Sequence, residues 1–479
     1  MGFLQRVKEA FRVLFKREIK EAFDIDVNLS ANMEAAIELW GDITSGNPPW
    51  VNDNDDVKSI NFASFISDVT ANLTTLDIGV KLSGGARAEW LQEQADYILR
   101  ALPDKVAVAL GSAGIIIKPN GTNVDYIEPG SFFPTEVNSN GDILGCAFPD
   151  YVVKTYGNKT YYYTKWEWQR FEARKDEAGN VQNVYFISNL CFKSESANKM
   201  GDPCMLQEVP EWAGLDAEIG LLNIKKPLFG FFKNPRANWI DHSSALGVPV
   251  WHEAIEELRD LDVAWSRKAT EVEDSKHMTF VSQSVQQYAT DPETGRSRFE
   301  LPRFVKSILV SDGLNGENAV HEHSATMLTD ERIKDINSIL GMISLKCGFS
   351  QGFFKLDEKT GMMTATQVES DDQETIRTVK AIRENLQTAI MDALNALDVV
   401  ATLYRLAPVG AWEVDCSFGD LLYNYHEDQQ HHYALAMQGR YPWVDYYVKF
   451  LKYSRDEAEE LLARAKKESV INTPYALEE

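Results

Sequence analysis

The chain has 479 residues, 44% of them hydrophobic, and a formal net charge of −24. At roughly 150 residues per domain this is two to four modules, and the apolar fraction excludes a disordered chain. The charge argues against tight DNA binding, which draws on Lys and Arg neutralising phosphates. Two readings stay open from composition alone: no contact with DNA, or DNA enclosed by an acidic wall that repels its phosphates and does not stick.

Five cysteines (Cys146, Cys191, Cys204, Cys347 and Cys416) stand apart with no CxxC pair. Neither a zinc ribbon nor a disulfide framework is expected, which fits a reducing compartment. No secretory signal and no run of about 18 apolar residues is read in the sequence, so no membrane span is expected.

Residues 1–23 read as an amphipathic basic helix, with Leu4, Val7, Phe11, Leu14 and Phe15 on one face. A membrane surface or, as the plainer reading, a docking site on the protein could cover that face. Helices are predicted over 30–45 and 59–76, separated by GNPPWVNDNDD, and over 86–102, stopped near Pro103. From 105 to 192 the pattern becomes that of strands. YVVKTYGNKTYYYTKWEWQRF is a hairpin around Gly157-Asn158, and YFISNLCF extends the same sheet. Its aromatics read as cross-strand packing. Residues 193–235 read as loops.

At Leu246 a long helical pattern begins: Trp251, Ile255, Leu258, Leu261, Trp265, Ala269 and Val272 step by three and four. It predicts about seven turns and about 40 Å. Residues 277–323 revert to strands and turns, with Asp291–Gly295 as a turn. A helix follows over 325–346, with Ile333, Ile336, Leu340 and Ile343 on one face. Next comes GFSQGFFKLDEKTG, a loop with three phenylalanines, and then a helix running to about Leu406. Thr364 and Gln367 have capping-box spacing, and Glu369, Asp371, Asp372 and Glu374 sit where the helix dipole favours acids. Its stripe is Val368, Ile376, Val379, Ile382, Leu386 and Ile390. One or two more helices are predicted over 428–479, punctuated by Pro442 and Pro474. The fold class expected is α+β.

Two long helices around a small β-rich insert, then a loop and another long helix: this order resembles the portal proteins of long-tailed phages of Gram-positive hosts. TATQVESDDQETIRTV at 364–379 looks like the family's threonine-alanine-threonine-(Glu/Gln)-valine signature. The preceding GFSQGFFKLDEKTG is similar to its glycine, serine and phenylalanine segment. NPRANWIDHSSALGVPVWHEAIEELRDLDVAWSRKATEVEDSK at 234–276 looks like its small-residue lead into an amphipathic helix. A weaker match is helix, PPW and Asn/Asp loop near 40–60. The resemblance runs from about 35 to 400; the last 70 or so residues match only in being helical.

The resemblance implies a portal fold. An N-terminal wing of helices and sheet would span 1–245, and a descending stem helix 246–275. A small clip would span 276–324, an ascending stem helix 325–346 and a tunnel loop 347–362. A long wing helix with its return would span 363–419, and a helical crown 420–479. It implies a closed ring, typically of twelve subunits, at one capsid vertex, through which double-stranded DNA is packaged and ejected without sequence recognition. Partners would be the terminase large subunit, a head-completion adaptor, and the major capsid and scaffolding proteins. The setting would be the virion, with assembly in the host cytoplasm; no membrane, cofactor or metal is implied. In such a ring the tunnel loop would project into the lumen. Its DNA-channel candidates are Phe349, Phe353, Phe354 and Lys355, with Lys346 at the root and Lys359 near the end. Ordinary core packing is the competing reading for at least one of the phenylalanines. Arg296, Arg298, Arg303 and Lys306 make the clip locally basic, as contacts for adaptor, motor or DNA or simply as solvated surface. Trp251, Ile255, Leu258, Leu261 and Trp265 would pack the stem between subunits.

No G-x-x-x-x-G-K-[ST] occurs, so ATP hydrolysis would belong to a partner. The chain is expected not to be an enzyme. His321-Glu322-His323 on a loop, the histidines at 426, 431 and 432, and the acidic pairs near 53–56 and 371–372 are the material of the alternative, a soluble metal-dependent hydrolase. Gly111-Ser112-Ala113-Gly114 is read as a plain turn. Another ring component, an adaptor, is the third reading; adaptors are usually shorter.

Overall fold

The computed structural model describes residues 20, 23, 27–52, 57–121, 123–157, 159–175, 181–197, 199–274, 278–282, 289–290, 297–298, 306–310, 320–323, 329–356, 373–419, 432–437, 440–451 and 453–471. It mixes helices (45%) with sheet (25%), in two units, Met1–Ser417 and Phe418–Glu479.

The first unit opens with α1 (Ala31–Thr44), capped where Ser30 Oγ accepts from Met33 N, and buries Met33, Ile37, Trp40 and Ile43. A short α2 (Pro49–Asn52) begins on a proline, which a first helical position tolerates. In α3 (Phe62–Thr74) the buried hydroxyls of Ser67, Thr70 and Thr74 donate to carbonyls four residues back, so a polar face is buried without orphan donors. Strand β1 (Gly79–Gly84) leads into α4 (Ala86–Leu110).

Here the sequence reading needs correcting. The helix does not stop at Pro103, and residues 105–110 are helical, not strand. An internal proline costs about 3 kcal/mol. Ile98 and Leu102 before it and Val106, Ala109 and Leu110 after it are all buried, and that apolar stripe outweighs the break. Gly111 ends the helix and Gly114, at φ +108, opens the next strand, so Gly-Ser-Ala-Gly is a turn.

Strands β2 (Ile115–Asn120) and β3 (Asn123–Ile127) form a hairpin. Then β4 (Phe133–Val137), β5 (Ile143–Tyr156), β6 (Lys159–Lys175), β7 (Val181–Ser194) and β8 (Asp202–Cys204) form one antiparallel sheet in that order; β9 (Glu218–Leu222) also pairs with β7. The β5–β6 hairpin turns at Gly157 (φ +61) with Tyr156 opposite Lys159, as the sequence indicates. The aromatics do pack across strands: Phe133 lies 5.7 Å from Trp166, and Phe171 4.8 Å from Tyr185. The stretch read as loops contains β8, β9 and β10 (Gly230–Phe232), the last beside β2.

The long helical pattern starts later than predicted. Residues 246–251 run irregularly, with Gly247 N and Val250 N donating to Ala113 O and Leu110 O. Pro249 has no N–H to give a helix, and α5 spans Ile255–Asp274, about 30 Å. The insert follows as β11 (Met278–Ser282), β12 (Ala289–Thr290), β13 (Ser297–Arg298), β14 (Lys306–Val310) and β15 (Val320–His323). Strand β11 is parallel to β14 and antiparallel to β15, while β12 pairs antiparallel with β13; the turn expected at Asp291–Gly295 lies outside the described residues. His321 and His323 therefore stand on a strand, not a loop, opposite Phe280 and Met278.

Helix α6 (Thr329–Cys347) packs against α5. Helix α7 (Gln373–Leu403) then passes α3, α4, β2 and β10, burying Val379, Ile382, Leu386, Ile390, Leu394 and Leu397. By length and composition it is apolar enough to cross a bilayer, but half of that stretch is buried in this fold, as in a core helix. A Cβ on Gly230 would lie 2.0 Å from Ala389 O, so only glycine lets β10 approach α7 this closely. The chain returns as β16 (Trp412–Ser417), paired with β1, a pairing with no counterpart in the sequence reading.

The second unit has a helical stretch over 432–437, α8 (Trp443–Leu451) just after Pro442, and α9 (Arg455–Ile471). Ser454 and Glu457 exchange capping-box hydrogen bonds at the start of α9. His432, half-buried, packs on Tyr441 (4.7 Å) and Phe450 (5.2 Å); the other two histidines of that segment lie outside the described residues.

Candidate functional site

The phenylalanine loop is fixed by the ends of two helices. Beyond Cys347, Gly348 turns the chain at φ +80. A Cβ there would meet Arg236 Nη2 at 2.6 Å and Thr378 Oγ1 at 2.7 Å, so conformation and space both require glycine. Hydroxyls then pin the backbone. Thr378 Oγ1 donates to Gly348 O (2.6 Å), Thr375 Oγ1 accepts from Ser350 N (3.0 Å), and Ser344 Oγ accepts from Phe354 N (3.2 Å). Asn337 Oδ1 accepts from Leu356 N (2.9 Å), and Arg236 Nη1 donates to Lys346 O. The segment 348–356 is thus a shaped turn, held by α6 on one side and the first turns of α7 on the other.

The three phenylalanines divide. Phe349 (0% exposed) and Phe354 (6%) are core, as the competing reading expected for at least one; Phe353 is 37% exposed. Phe353 stacks on Phe349 at 4.7 Å, and Phe354 stands edge-on to both at 5.0 and 5.5 Å. Phe354 also reaches α3, 5.3 Å from Phe62 and 6.1 Å from the half-exposed Phe65. Lys355 is exposed. Lys346 at the root pairs with Glu257 of α5 at 2.5 Å. Lys359, Gly361 and the TATQVESDD part of the resemblance motif lie outside the described residues. Phe62, Phe65, Arg236, Ser344, Thr375 and Thr378 were not singled out from the sequence. Arg236 sits in the quoted NPRAN stretch, and the hydroxyls follow no pattern that sequence alone displays.

Of the proposed stem residues, Trp251, Leu258 and Leu261 are buried within their own chain, and Trp251 Nε1 donates to Ser67 Oγ at 3.1 Å. Ile255 is half-buried, and Trp265 is 37% exposed with Lys268 Nζ 5.0 Å from its ring. Below them Asp262 is buried and accepts from Trp50 Nε1 (2.9 Å) and Ile60 N (3.0 Å); burial raises its carboxyl above the usual range. Arg298 lies on β13 and Lys306 on β14; Arg296 and Arg303 lie outside the described residues. Among the described residues no group of three or more His, Cys, Asp or Glu is placed to hold a metal.

A cleft of about 1010 Å³ lies between α1, α3, α4 and the β5–β6 hairpin, with Asp68, Asp104, Glu128, Tyr151 and Tyr162 among its walls. It is separate from the phenylalanine loop. No protein-family model and no curated protein sequence matches the chain.

Proposed function

We propose that this chain is the subunit of a phage portal: a non-enzymatic ring at one capsid vertex through which double-stranded DNA is packaged and ejected. The observation that carries the reading is the order and joining of elements from α5 to α7. Two long helices that pack together flank a small sheet in sequence, and an aromatic loop pinned over 348–356 follows the second, ahead of a third long helix. A passive ring needs no pocket chemistry; it needs rigid rods, a distal module for partners and a shaped element for the lumen.

In this reading residues 1–245 are the wing, and α5 and α6 the stem. Strands β11–β15 are the clip, which meets the terminase large subunit and later the adaptor, with Arg298 and Lys306 among its basic contacts. The loop after α6 is the tunnel loop, and the C-terminal unit the crown. Phe353 and Lys355 are the tunnel loop's lumen-facing residues, while Phe354 holds the loop to α3 and the buried Phe349 packs behind it. Subunits meet through heterologous contacts that close into a ring, and Trp265, Met342 and Leu345, exposed on the two stem helices, supply apolar surface for that contact. The chain's acidity keeps DNA from sticking.

Native mass spectrometry with negative-stain imaging tests this. Expected are rings of a dozen or so 54.1 kDa chains with a central hole, formed alone or with scaffolding protein. A compact dimer that stays a dimer when co-expressed with scaffold overturns the proposal.

A further inference from the structure

Cys191 and Cys204 lie thirteen positions apart in sequence, and the fold places them directly opposite each other where β8 pairs with β7. Their sulfurs lie 2.8 Å apart. Directly opposed residues of an antiparallel pair have Cβ atoms about 4.5–5.5 Å apart, close to the 3.5–4.5 Å that a disulfide spans. A second observation holds the strands together independently. Gly201, at φ +82 just before β8, lies so close to β7 that a Cβ would be 2.0 Å from Lys193 O. The segment beyond β8 is docked on the same sheet. Leu206, Val209 and Trp212 share a cluster with Tyr163 and Cys191, Lys193 pairs with Glu208 at 3.0 Å, and Trp212 Nε1 donates to Asp150 at 2.9 Å.

We propose that Cys191 and Cys204 are an oxidisable dithiol, a modification site that closes to a disulfide and ties the edge strand β8 and the segment behind it to the sheet. The chemistry has an order. Cys191 is buried and Cys204 only half-buried, so an incoming low-molecular-weight disulfide meets Cys204 first. Burial raises both thiols, but a hydrogen bond from the Cys191 thiol favours the Cys204 thiolate. The Cys204 thiolate attacks the oxidant R–S–S–R, forming Cys204–S–S–R and releasing one thiolate R–S⁻. Cys191, giving up its proton, then attacks the Cys204 sulfur and displaces the second R–S⁻. Two protein thiols are oxidised, one small disulfide is reduced to two thiols, and nothing stays attached. High thiol pKa values make the reaction slow at neutral pH and faster as pH rises. A particle leaving a reducing cytoplasm would acquire the bond with time.

The test treats the folded full-length chain with oxidised glutathione at mildly alkaline pH, quenches with acid, alkylates free thiols and maps peptides without reductant. Expected is a Cys191–Cys204 linked peptide pair from a chain lighter by two hydrogens, with no retained glutathione. In C191S, glutathione should stay trapped on Cys204; in C204S, Cys191 should remain unmodified. Oxidation should also slow proteolytic nicking within 195–217, and reductant should restore it. A stable glutathione adduct on wild-type Cys204 would overturn the proposal. So would a bond to another cysteine, or two thiols that stay free when folded but react in denaturant.

Discussion

Truncating the three loop phenylalanines one at a time should separate core from surface. Phe349 has no exposed surface and touches two neighbouring rings. Phe349→Ala therefore removes a fully buried ring and leaves a cavity between α6 and α7, costing about 3–5 kcal/mol. Phe354→Ala should fall in the same range, since it also loses its edge contacts with Phe62 and Phe65. Phe353 keeps over a third of its surface in water, and its main partner is the stacked Phe349 ring. A stacked pair contributes about 0.5–1.5 kcal/mol beyond area, so Phe353→Ala should cost about 1–2 kcal/mol. Urea unfolding monitored at the first transition, with hydrogen exchange of the Phe349 and Phe354 amides, measures the difference. If Phe353→Ala destabilised as much as Phe349→Ala, the division into anchor and free ring would be refuted.

Other positions give equally direct outcomes. Gly348→Ala should cost about 2 kcal/mol or more through its positive φ and the clash with Arg236 and Thr378, read as a lowered melting temperature and faster exchange of the loop amides. Arg383, buried in α7, donates to Thr74 O and Leu73 O at the C-terminal end of α3. Arg383→Ala should cost about 2–3 kcal/mol in the same urea assay by orphaning those carbonyls. Lys118→Met should be among the most damaging single changes, about 3–5 kcal/mol, because Glu167 lies 2.7 Å away and mostly buried. Burial alone would raise the Glu167 carboxyl, but Lys118 and Lys165, with hydrogen bonds from Lys118 and Gln169, hold it below the usual range. A carboxyl lowered by folding stabilises above its unfolded pKa and loses that contribution as pH falls through its folded pKa. The gap between wild type and Lys118→Met should thus be full at neutral pH and shrink in acid; a pH-independent gap would contradict the pairing.

What the sequence made legible followed from short-range physics. Period-two aromatics with Gly-Asn between them gave the β5–β6 hairpin, and the three-and-four stepping of Ile376, Val379, Ile382, Leu386 and Ile390 gave the buried stripe of α7. The misses lie where distant segments override local preference. Pro103 stays inside α4 because both flanking turns are buried by other elements, which no local window contains. The stepping pattern from Trp251 is buried at Trp251, Leu258 and Leu261 and helical only from Ile255, since Gly247 and Val250 before it donate their N–H groups to Ala113 and Leu110. Strand β16 pairs with β1 across more than three hundred residues. In the site, the glycines and phenylalanines were visible, but not which ring would be buried, because that depends on Phe62 and Phe65 arriving from α3. The cysteines looked unrelated because opposition across β7 and β8 is a matter of register.

The site also explains why an aromatic, glycine-bearing loop belongs at the end of a long helix. A loop held only by its own backbone would be loose, because ordering each residue costs about 1–2 kcal/mol. Here that cost is offset by Ser344, Thr375, Thr378 and Asn337 on the flanking helices and by the buried Phe354 ring against α3. The exposed Phe353 and Lys355 can then be presented at less cost to the fold than the buried rings, since Phe353 contributes mainly its stack on Phe349. In a ring, the same arrangement repeated by rotation would set one such ring and one such cation from every subunit at the same height. A polyanion inside an acidic wall would then meet a narrow collar of apolar and basic groups, enough to grip briefly and too little to hold. If the proposed portal function holds, Phe353 and Lys355, rather than the buried phenylalanines, are the residues whose replacement should alter DNA retention while the subunit stays folded.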